Sequence, residues 1–339
     1  MSFSQWLERA WYQRDGRALW ALRPLECVYR HVVMRKQRQR CYGIQTPVPT
    51  LVVGNLSVGG TGKSPLVAWL ARYLQAQGWQ PGIVSRGYGG KASHYPLRVT
   101  PASLPSEAGD EPVMLAQQSG VPVAVAPDRP SAVEMLVAEG CTFIISDDGL
   151  QHYALARDIE LVVVDGTRGF GNRHCLPCGP LREPLSRLSS VDGIVVNGGE
   201  QALVRLAQQG DVPSDHSFSM TLAPRGLRHL LTGERVQHND PRFRDGVHAV
   251  AGIGHPERFF TTLAALDIDA HPHPFADHHV FSAQDLCFGD ERPVVMTAKD
   301  AVKCQPFATA QCWALDVDAE PSAAFVLFLQ QRLAALAPR

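Results

Sequence analysis

Apolar side chains near the start of the chain fall at i, i+3, i+4, i+7 and i+8, at Phe3, Trp6, Leu7, Ala10 and Trp11, and the spacing returns after Pro24 at Leu25, Val28, Tyr29, Val32 and Val33. This predicts two amphipathic helices. From Thr50 the pattern changes to short apolar runs alternating with helical stretches: a run at 51–53, a helix over about 64–77, a run at 82–85, a helix over about 111–119 and a run at 121–125. A helix over 130–139 follows, then runs at 143–146, 159–165 and 193–197. Near-continuous apolar strands separated by helices predict a parallel sheet covered by helices on both faces, with ligands at the strands' carboxyl ends.

The rhythm breaks at 216–238, where alternating segments at 217–222 and 226–236 meet through Pro224-Arg225-Gly226 and predict a β-ribbon. A second α/β set follows, with runs at 247–251, 294–297 and 313–317 and helices over 256–266 and about 322–336. Two α/β domains joined by a hinge are expected.

At 339 residues, 45% hydrophobic and 19% charged, the chain has material for properly buried cores and is not a disordered sequence. The formal net charge of −1 gives no overall bias toward nucleic acid. Charge is uneven, however: residues 1–40 hold nine Arg/Lys against Glu8, Asp15 and Glu26, which leaves the remainder at about −7. Three of the six tryptophans lie in the first twenty residues, and Trp with Arg fits a helix lying in a membrane interface. The same two helices equally fit a cover over the protein's own core. No run of about 18 apolar residues and no signal-peptide pattern occurs, so a cytosolic location is expected. Of eight cysteines only Cys175 and Cys178 have pair spacing; a closed zinc site needs two more ligands, and free thiols are the better reading.

The strongest chemical signal is Ser57-Val58-Gly59-Gly60-Thr61-Gly62-Lys63-Ser64, which follows an apolar strand and opens a helix. Glycines let backbone N–H groups approach phosphate oxygens, the lysine reaches the β/γ-phosphates, and the serine hydroxyl suits Mg²⁺. Ser57 stands where a glycine is usual. Residues 142–146 form an apolar strand ending in Asp147 and Asp148, where P-loop proteins place the aspartate that holds Mg²⁺. Arg86, after the run at 82–85, is placed at the ligand edge of the sheet, where an arginine suits phosphate or a polar sugar. Taken alone, Asp110 reads as a helix N-terminal carboxylate, and Asp277-His278-His279 as a turn cap or metal ligand. Thr297-Ala298-Lys299-Asp300 has the wrong order for guanine recognition, and the acidic body disfavours a nucleic-acid motor.

The strings 54–65, Ser85-Arg86-Gly87-Tyr88-Gly89, Gly109-Asp110-Glu111-Pro112, Asp147-Asp148-Gly149-Leu150-Gln151-His152, Gly179-Pro180-Leu181-Arg182-Glu183-Pro184 and Asp277-His278-His279 together resemble the tetraacyldisaccharide 4'-kinase family in order and spacing. Ala251-Gly252-Ile253-Gly254, Phe259-Phe260 and the string 299–303 add to the likeness, which runs from the first helices to the last domain. The resemblance implies an ATP-dependent kinase that phosphorylates the 4'-hydroxyl of a lipid A precursor disaccharide at the cytosolic face of the inner membrane. It implies ATP on residues 57–64, with Lys63 and Ser64 at phosphate and Mg²⁺, and Asp147, Asp148 and Glu183 near the metal. Asp110 becomes the base and His278 its partner, while Arg86, Tyr88, Gln151, His152 and Arg182 line the acceptor side. Ser64 stands where threonine is familiar, and Ala298 where glutamate is expected.

On this reading residues 1–40 are membrane-interface helices belonging to the first domain and 41–215 a P-loop NTPase-like α/β kinase domain. Residues 216–238 are a ribbon linker, and 239–339 a smaller α/β domain closing over ATP. The partners are the acylated disaccharide and the membrane surface, with no nucleic acid and no protein partner indicated. The alternative is a membrane-associated P-loop ATPase acting as a nucleotide switch or metal-delivery protein.

Overall fold

The computed structural model describes residues 3–12, 16–38, 46–277 and 279–336. In chain order, helices α1 (Phe3–Tyr12) and α2 (Arg23–Arg38) precede β1 (Thr50–Gly54), α3 (Lys63–Ala76), β2 (Pro81–Ser85), β3 (Leu97–Val99) and α4 (Pro105–Ala108). Then come α5 (Asp110–Ser119), β4 (Val123–Val125), α6 (Arg129–Ala138), β5 (Phe143–Asp147), β6 (Ile159–Asp165), β7 (Gly193–Asn197) and α7 (Gly199–Gln208). The second half carries β8 (Ser217–His229), β9 (Arg235–Val236), β10 (Val247–Ala251), α8 (Pro256–Ala265) and β11 (Ala270–Pro274). It ends with β12 (Val294–Thr297), α9 (Ala298–Cys304), β13 (Cys312–Pro321) and α10 (Ala323–Ala334).

All of these strands join one mixed, mostly parallel sheet of 13 strands in the order β11-β10-β12-β13-β8-β7-β6-β1-β5-β2-β4-β3, with β9 on β8. β1 lies between β5 and β6, parallel to both. Both neighbours come later in the chain, so strand order reverses here and the loop leaving β1 opens into the crevice where such sheets bind ligands. Alternate residues serve opposite faces. Leu161 and Val163 pack with Leu51, Val53, Leu66, Leu70 and Phe143 on one side, while Val162 and Val164 pack with Leu56, Leu150, Ile194 and Val196 on the other. Burial on both faces explains why these strands read as continuous apolar runs.

The predicted ribbon is corrected in its pairing. β8 runs unbroken through Pro224-Arg225-Gly226, pairs parallel with β7 over 217–220, and pairs antiparallel with β13 from Met220 to His229. Residues 220–222 therefore meet 319–321, and only Leu227 and Arg228 pair with β9. The register shifts where Gly226 faces Asp316 and Pro224 faces Val317, so Arg225 is the extra residue of a bulge. That bulge accommodates a proline, which has no N–H to donate, within a long strand.

The N-terminal helices cover the body with one face and leave the other open to solvent. Glu26 is buried, accepts from the Cys175 amide at 2.8 Å and pairs with His174 at 3.0 Å. Tyr29 Oη donates to the Arg182 carbonyl at 3.0 Å, and Trp11 Nε1 to the Pro177 carbonyl at 3.1 Å. The opposite face is open to solvent, with Trp20 70% and Val28 63% exposed and Leu25, Val32 and Met34 exposed beside them. Among the described residues no helix is long and apolar enough to cross a membrane.

Beneath the segment that receives these helices lies a buried ionic cluster. Arg187 meets Glu160 at 2.5 Å and Glu183 at 3.2 Å, Arg157 meets Glu160 at 2.9 Å, and Tyr153 Oη donates to Glu183 at 2.6 Å. Removing one partner of a buried set strands the remaining charge, at a cost of about 3–5 kcal/mol. Arg187→Met is expected to lower stability in urea unfolding by about that amount, with part recovered when Glu160→Gln is added. A loss below about 1 kcal/mol contradicts this account of the cluster.

Candidate active site

The loop between β1 and α3 is held from its flanks. Asn55 Nδ2 donates to the carbonyls of Ser57 at 2.7 Å and Gly59 at 3.2 Å, Asn197 Nδ2 donates to Thr61 O at 3.1 Å, and the Val58 amide donates to Pro180 O at 2.8 Å. Gly62 starts α3 in the left-handed region at φ 92°, and a Cβ there would sit 2.6 Å from Asn197 Nδ2. Glycine is therefore required at that corner. Around Gly60 the space is open, with no atom within 4 Å of a built Cβ. α3 starts with no side-chain cap, and a helix N-terminus of this kind suits phosphate.

Beside the loop, β5 ends in the two aspartates. Asp148, in a left-handed turn at φ 46°, holds Lys63 Nζ at 3.4 Å and Arg182 Nη1 at 2.9 Å. Burial alone would raise its pKa, but the charges of Lys63 and Arg182 outweigh it and keep the carboxyl well below the usual range. Asp147 is 1% exposed, and neither of its oxygens has a hydrogen bond. Burial and the charges of Glu111 and Asp148 push its pKa up against the pull of Lys63 and Arg129. A buried carboxylate without donors has the character of a cation ligand. Arg129 is buried at the start of α6 and donates to the carbonyls of Asp147 at 3.0 Å and Asp148 at 2.8 Å, fixing the turn.

On the other flank, residues 87–90 pack against 107–109. A Cβ at Gly90 would collide with the Glu107 carbonyl, and one at Gly109 would lie 2.7 Å from Tyr88 O. This close approach sets exposed Arg86 and Tyr88 beside the first turn of α5, where buried Asp110 begins the helix. Asp110 Oδ1 accepts from the Glu111 amide at 2.9 Å, while Lys299 Nζ on α9 lies 3.8 Å from Oδ2 and 3.3 Å from Glu111 Oε1. His278 lies outside the described residues; its neighbour Asp277 acts electrostatically on Lys299, which brings that loop to the same corner.

Of the expected residues, Lys63, Asp148 and Arg182 stand in direct contact, and Gln151 joins them by donating to Asn55 O at 3.1 Å. Glu183, expected near a metal, is fully buried and engaged by Tyr153 and Arg187. Cys175 and Cys178 are buried free thiols; burial pushes Cys175 up to about 11, and no cluster of three metal-ligating side chains occurs among the described residues. Asn55, Arg129, Asn197 and Lys299 were not singled out from sequence as site residues. Asn197 carries a readable signal, a polar residue closing an apolar strand at its carboxyl end; Arg129, between Asp128 and Pro130, looks like an ordinary helix start.

Residues 18–334 match the family described as tetraacyldisaccharide-1-P 4'-kinase. The chain belongs to that family. It is 49% identical over 343 residues to the tetraacyldisaccharide 4'-kinase of Pseudomonas syringae pv. syringae, covering 100% of both chains. Its identity to the Azotobacter vinelandii protein of the same name is 48%, covering 99% of each. Among solved structures, it resembles the "apo" form of LpxK from Aquifex aeolicus in complex with ATP, with a TM-score of 0.78 and 26% identity over 94% of this chain and 99% of that one. Membership in the 4'-kinase family makes the chain a kinase acting on a hydroxyl group, and the nucleotide-switch alternative is not favoured.

His152, on the kinase's expected acceptor side, supplies a pH test. Burial, reinforced by Arg129 and Arg157, pulls its pKa down to about 4. Above pH about 6.5 the ring is neutral in both folded and unfolded chains and contributes nothing; between about 6.5 and 4 only the unfolded chain binds the proton, so stability falls as pH falls. The full shift corresponds to about 3 kcal/mol, which partial exposure of the ring screens to about 1–2 kcal/mol. Urea unfolding at pH 7 and pH 4 is expected to show His152→Gln losing about 1–2 kcal/mol less than the unaltered chain on acidification. Equal losses contradict it.

Proposed function

We propose that the chain transfers the γ-phosphoryl group of ATP to the 4'-hydroxyl of a tetraacyldisaccharide 1-phosphate, a lipid A precursor, with Asp110 as the base. The observation that carries this reading is the division of labour among carboxylates at one edge of the sheet. Asp148 is committed to Lys63 and Arg182, whereas Asp110 stands on a different element, at the α5 N-terminus. Because α5 leads into β4, which runs parallel to β2, its N-terminus points to the same carboxyl edge as the phosphate loop.

In this mechanism residues 57–64 bind the β- and γ-phosphates, and Lys63 and Arg182 face the charge that spreads over the transferring group. Asp110 accepts the proton of the 4'-hydroxyl as its oxygen bonds to the γ-phosphorus; the bond from that phosphorus to the β,γ-bridging oxygen breaks, and ADP leaves. Ser64, Asp147 and Asp148 would hold Mg²⁺, which when bound neutralises phosphate charge. Glu183 supports the segment bearing Arg182 through Tyr153 and Arg187. Arg86, Tyr88, Gln151 and His152 line the acceptor side, with His278 as the partner of Asp110. Residues 239–339 form the smaller unit that closes over ATP, and the β8–β13 ribbon is its hinge.

The substrate's acyl chains remain in a bilayer, so the kinase must reach it there. Trp20, Leu25, Val28 and Val32 present an apolar face flanked by exposed Arg23, Arg30, Arg35 and Lys36. That combination fits peripheral docking on an anionic surface, the cytoplasmic face of the inner membrane.

Asp110→Ala is expected to lower kcat by about 10²-fold or more with little change in KM for ATP, because a positioned base contributes about 10²–10⁴-fold. A kcat within about threefold, or a change confined to ATP binding, removes Asp110 from this role. Lys63→Ala should abolish nearly all transfer in a folded protein; near-normal activity ends the phosphate-loop reading. Replacing Trp20, Leu25 and Val28 together by Ser should weaken sedimentation with anionic vesicles at least about tenfold while the melting temperature holds, since these side chains face solvent. Undiminished sedimentation places the membrane contact elsewhere.

A further inference from the structure

The segment Thr297-Ala298-Lys299-Asp300-Ala301-Val302-Lys303 is built as a mount for one side chain. Thr297 caps α9 by accepting from the Asp300 amide at 3.2 Å, and its hydroxyl donates to Asp300 Oδ2 at 2.7 Å. Asp300 is fully buried, accepts from the Gly252 amide at 3.0 Å and is neutralised by Lys303 at 2.7 Å. The first turn of α9 is thus pinned to the turn that follows β10. From this turn Lys299 extends to α5 in the other half, with only 17% of its side chain exposed. It ends 3.3 Å from Glu111 Oε1 and 3.8 Å from Asp110 Oδ2.

Ordering and burying a lysine costs up to about 2 kcal/mol in side-chain entropy, in addition to desolvation of its ammonium. A chain that needed only to join its halves has apolar contacts between α5 and α9 for the purpose. What the ammonium adds is local to Asp110. One carboxylate oxygen is set by the Glu111 amide, from the helix's own backbone, and the other faces Lys299, from the opposite half. The orientation of the carboxylate therefore depends on both halves being in place. Lys299 also pairs with Glu111, whose charge acts on Asp147.

We propose that Lys299 is a positioning residue for phosphoryl transfer, an ammonium supplied by the second half that aims the Asp110 carboxylate and couples its readiness to docking of that half. This rests on the reading of Asp110 as the base. Misplacement of a reacting group by about 1 Å costs on the order of 10²-fold, so a loss appearing in kcat is the expected signature.

The experiment compares steady-state transfer by Lys299→Met, Lys299→Arg, Asp110→Ala and the double variant Lys299→Met/Asp110→Ala, using ATP and the tetraacyldisaccharide 1-phosphate in detergent micelles. Lys299→Met should lower kcat about 10- to 100-fold with KM for ATP within about threefold, and Lys299→Arg should return kcat to within about threefold of the unaltered chain. The double variant should be no slower than Asp110→Ala alone, because the lysine acts through the carboxylate. The proposal is overturned if Lys299→Met keeps kcat within about twofold, if its loss lies in KM for ATP, or if the two losses multiply. Should Lys299→Met not fold, failure of Lys299→Arg to sustain kcat in a folded protein overturns it equally. If Asp110→Ala itself keeps kcat, the base assignment is what has failed, and the role of Lys299 falls with it.

Discussion

The carboxylate of Asp148, clasped between Lys63 and Arg182, is the junction on which this site depends. It joins the three pieces of chain that make a phosphate site: the phosphate loop at the start of α3, the end of the central strand β5, and the segment 172–184. Each is constrained elsewhere as well. Arg129 fixes the carbonyls of the aspartate turn, Asn55 and Asn197 fix those of the loop, and the Arg182 amide donates to Leu56 O at 2.6 Å. One carboxylate thus holds a lysine and an arginine together at the start of α3, a pair of cations suited to phosphate.

The same segment carries the connection outward. Glu26 and Tyr29 of α2 bond to Cys175, His174 and Arg182, so the helices whose outer face is apolar are attached within one residue of the arginine that meets Asp148. The surface element and the phosphate site are thus bonded to one shared segment, which Arg187, Glu160 and Glu183 support. The second half reaches this assembly from the other side through β8–β13 and through Lys299. Asp110, at the start of α5, faces that half through Lys299.

Much of the fold was legible because burial on both faces writes a strand as an unbroken apolar run, and glycine or aspartate marks where it stops. The strand at 143–147 with its two aspartates, and the phosphate loop after 50–54, needed no structure to locate. The ribbon's long partner strand was not legible because it lies about ninety residues away at 312–321, and no local pattern encodes a pairing of that separation. The N-terminal stripe mixed two kinds of apolar residue: Tyr29 and Val33 turn toward the body, whereas Leu25, Val28 and Val32 turn away, and periodicity alone does not separate faces so close in angle. Arg129 and Lys299 escaped for another reason. Each is a charged residue in the first turn of a helix, a position that is normally solvated, and only tertiary packing turns one onto backbone carbonyls and the other onto Asp110.

The most direct test of the central claim follows the fate of the phosphoryl group. The full-length chain is incubated with γ-labelled ATP, Mg²⁺ and the tetraacyldisaccharide 1-phosphate in mixed micelles, and lipid and aqueous phases are separated. Label should accumulate in a lipid bisphosphate in equal measure with ADP, and the new phosphate should sit on the 4'-position by NMR. ADP formation with the label recovered as inorganic phosphate, and the lipid unmodified, would contradict it.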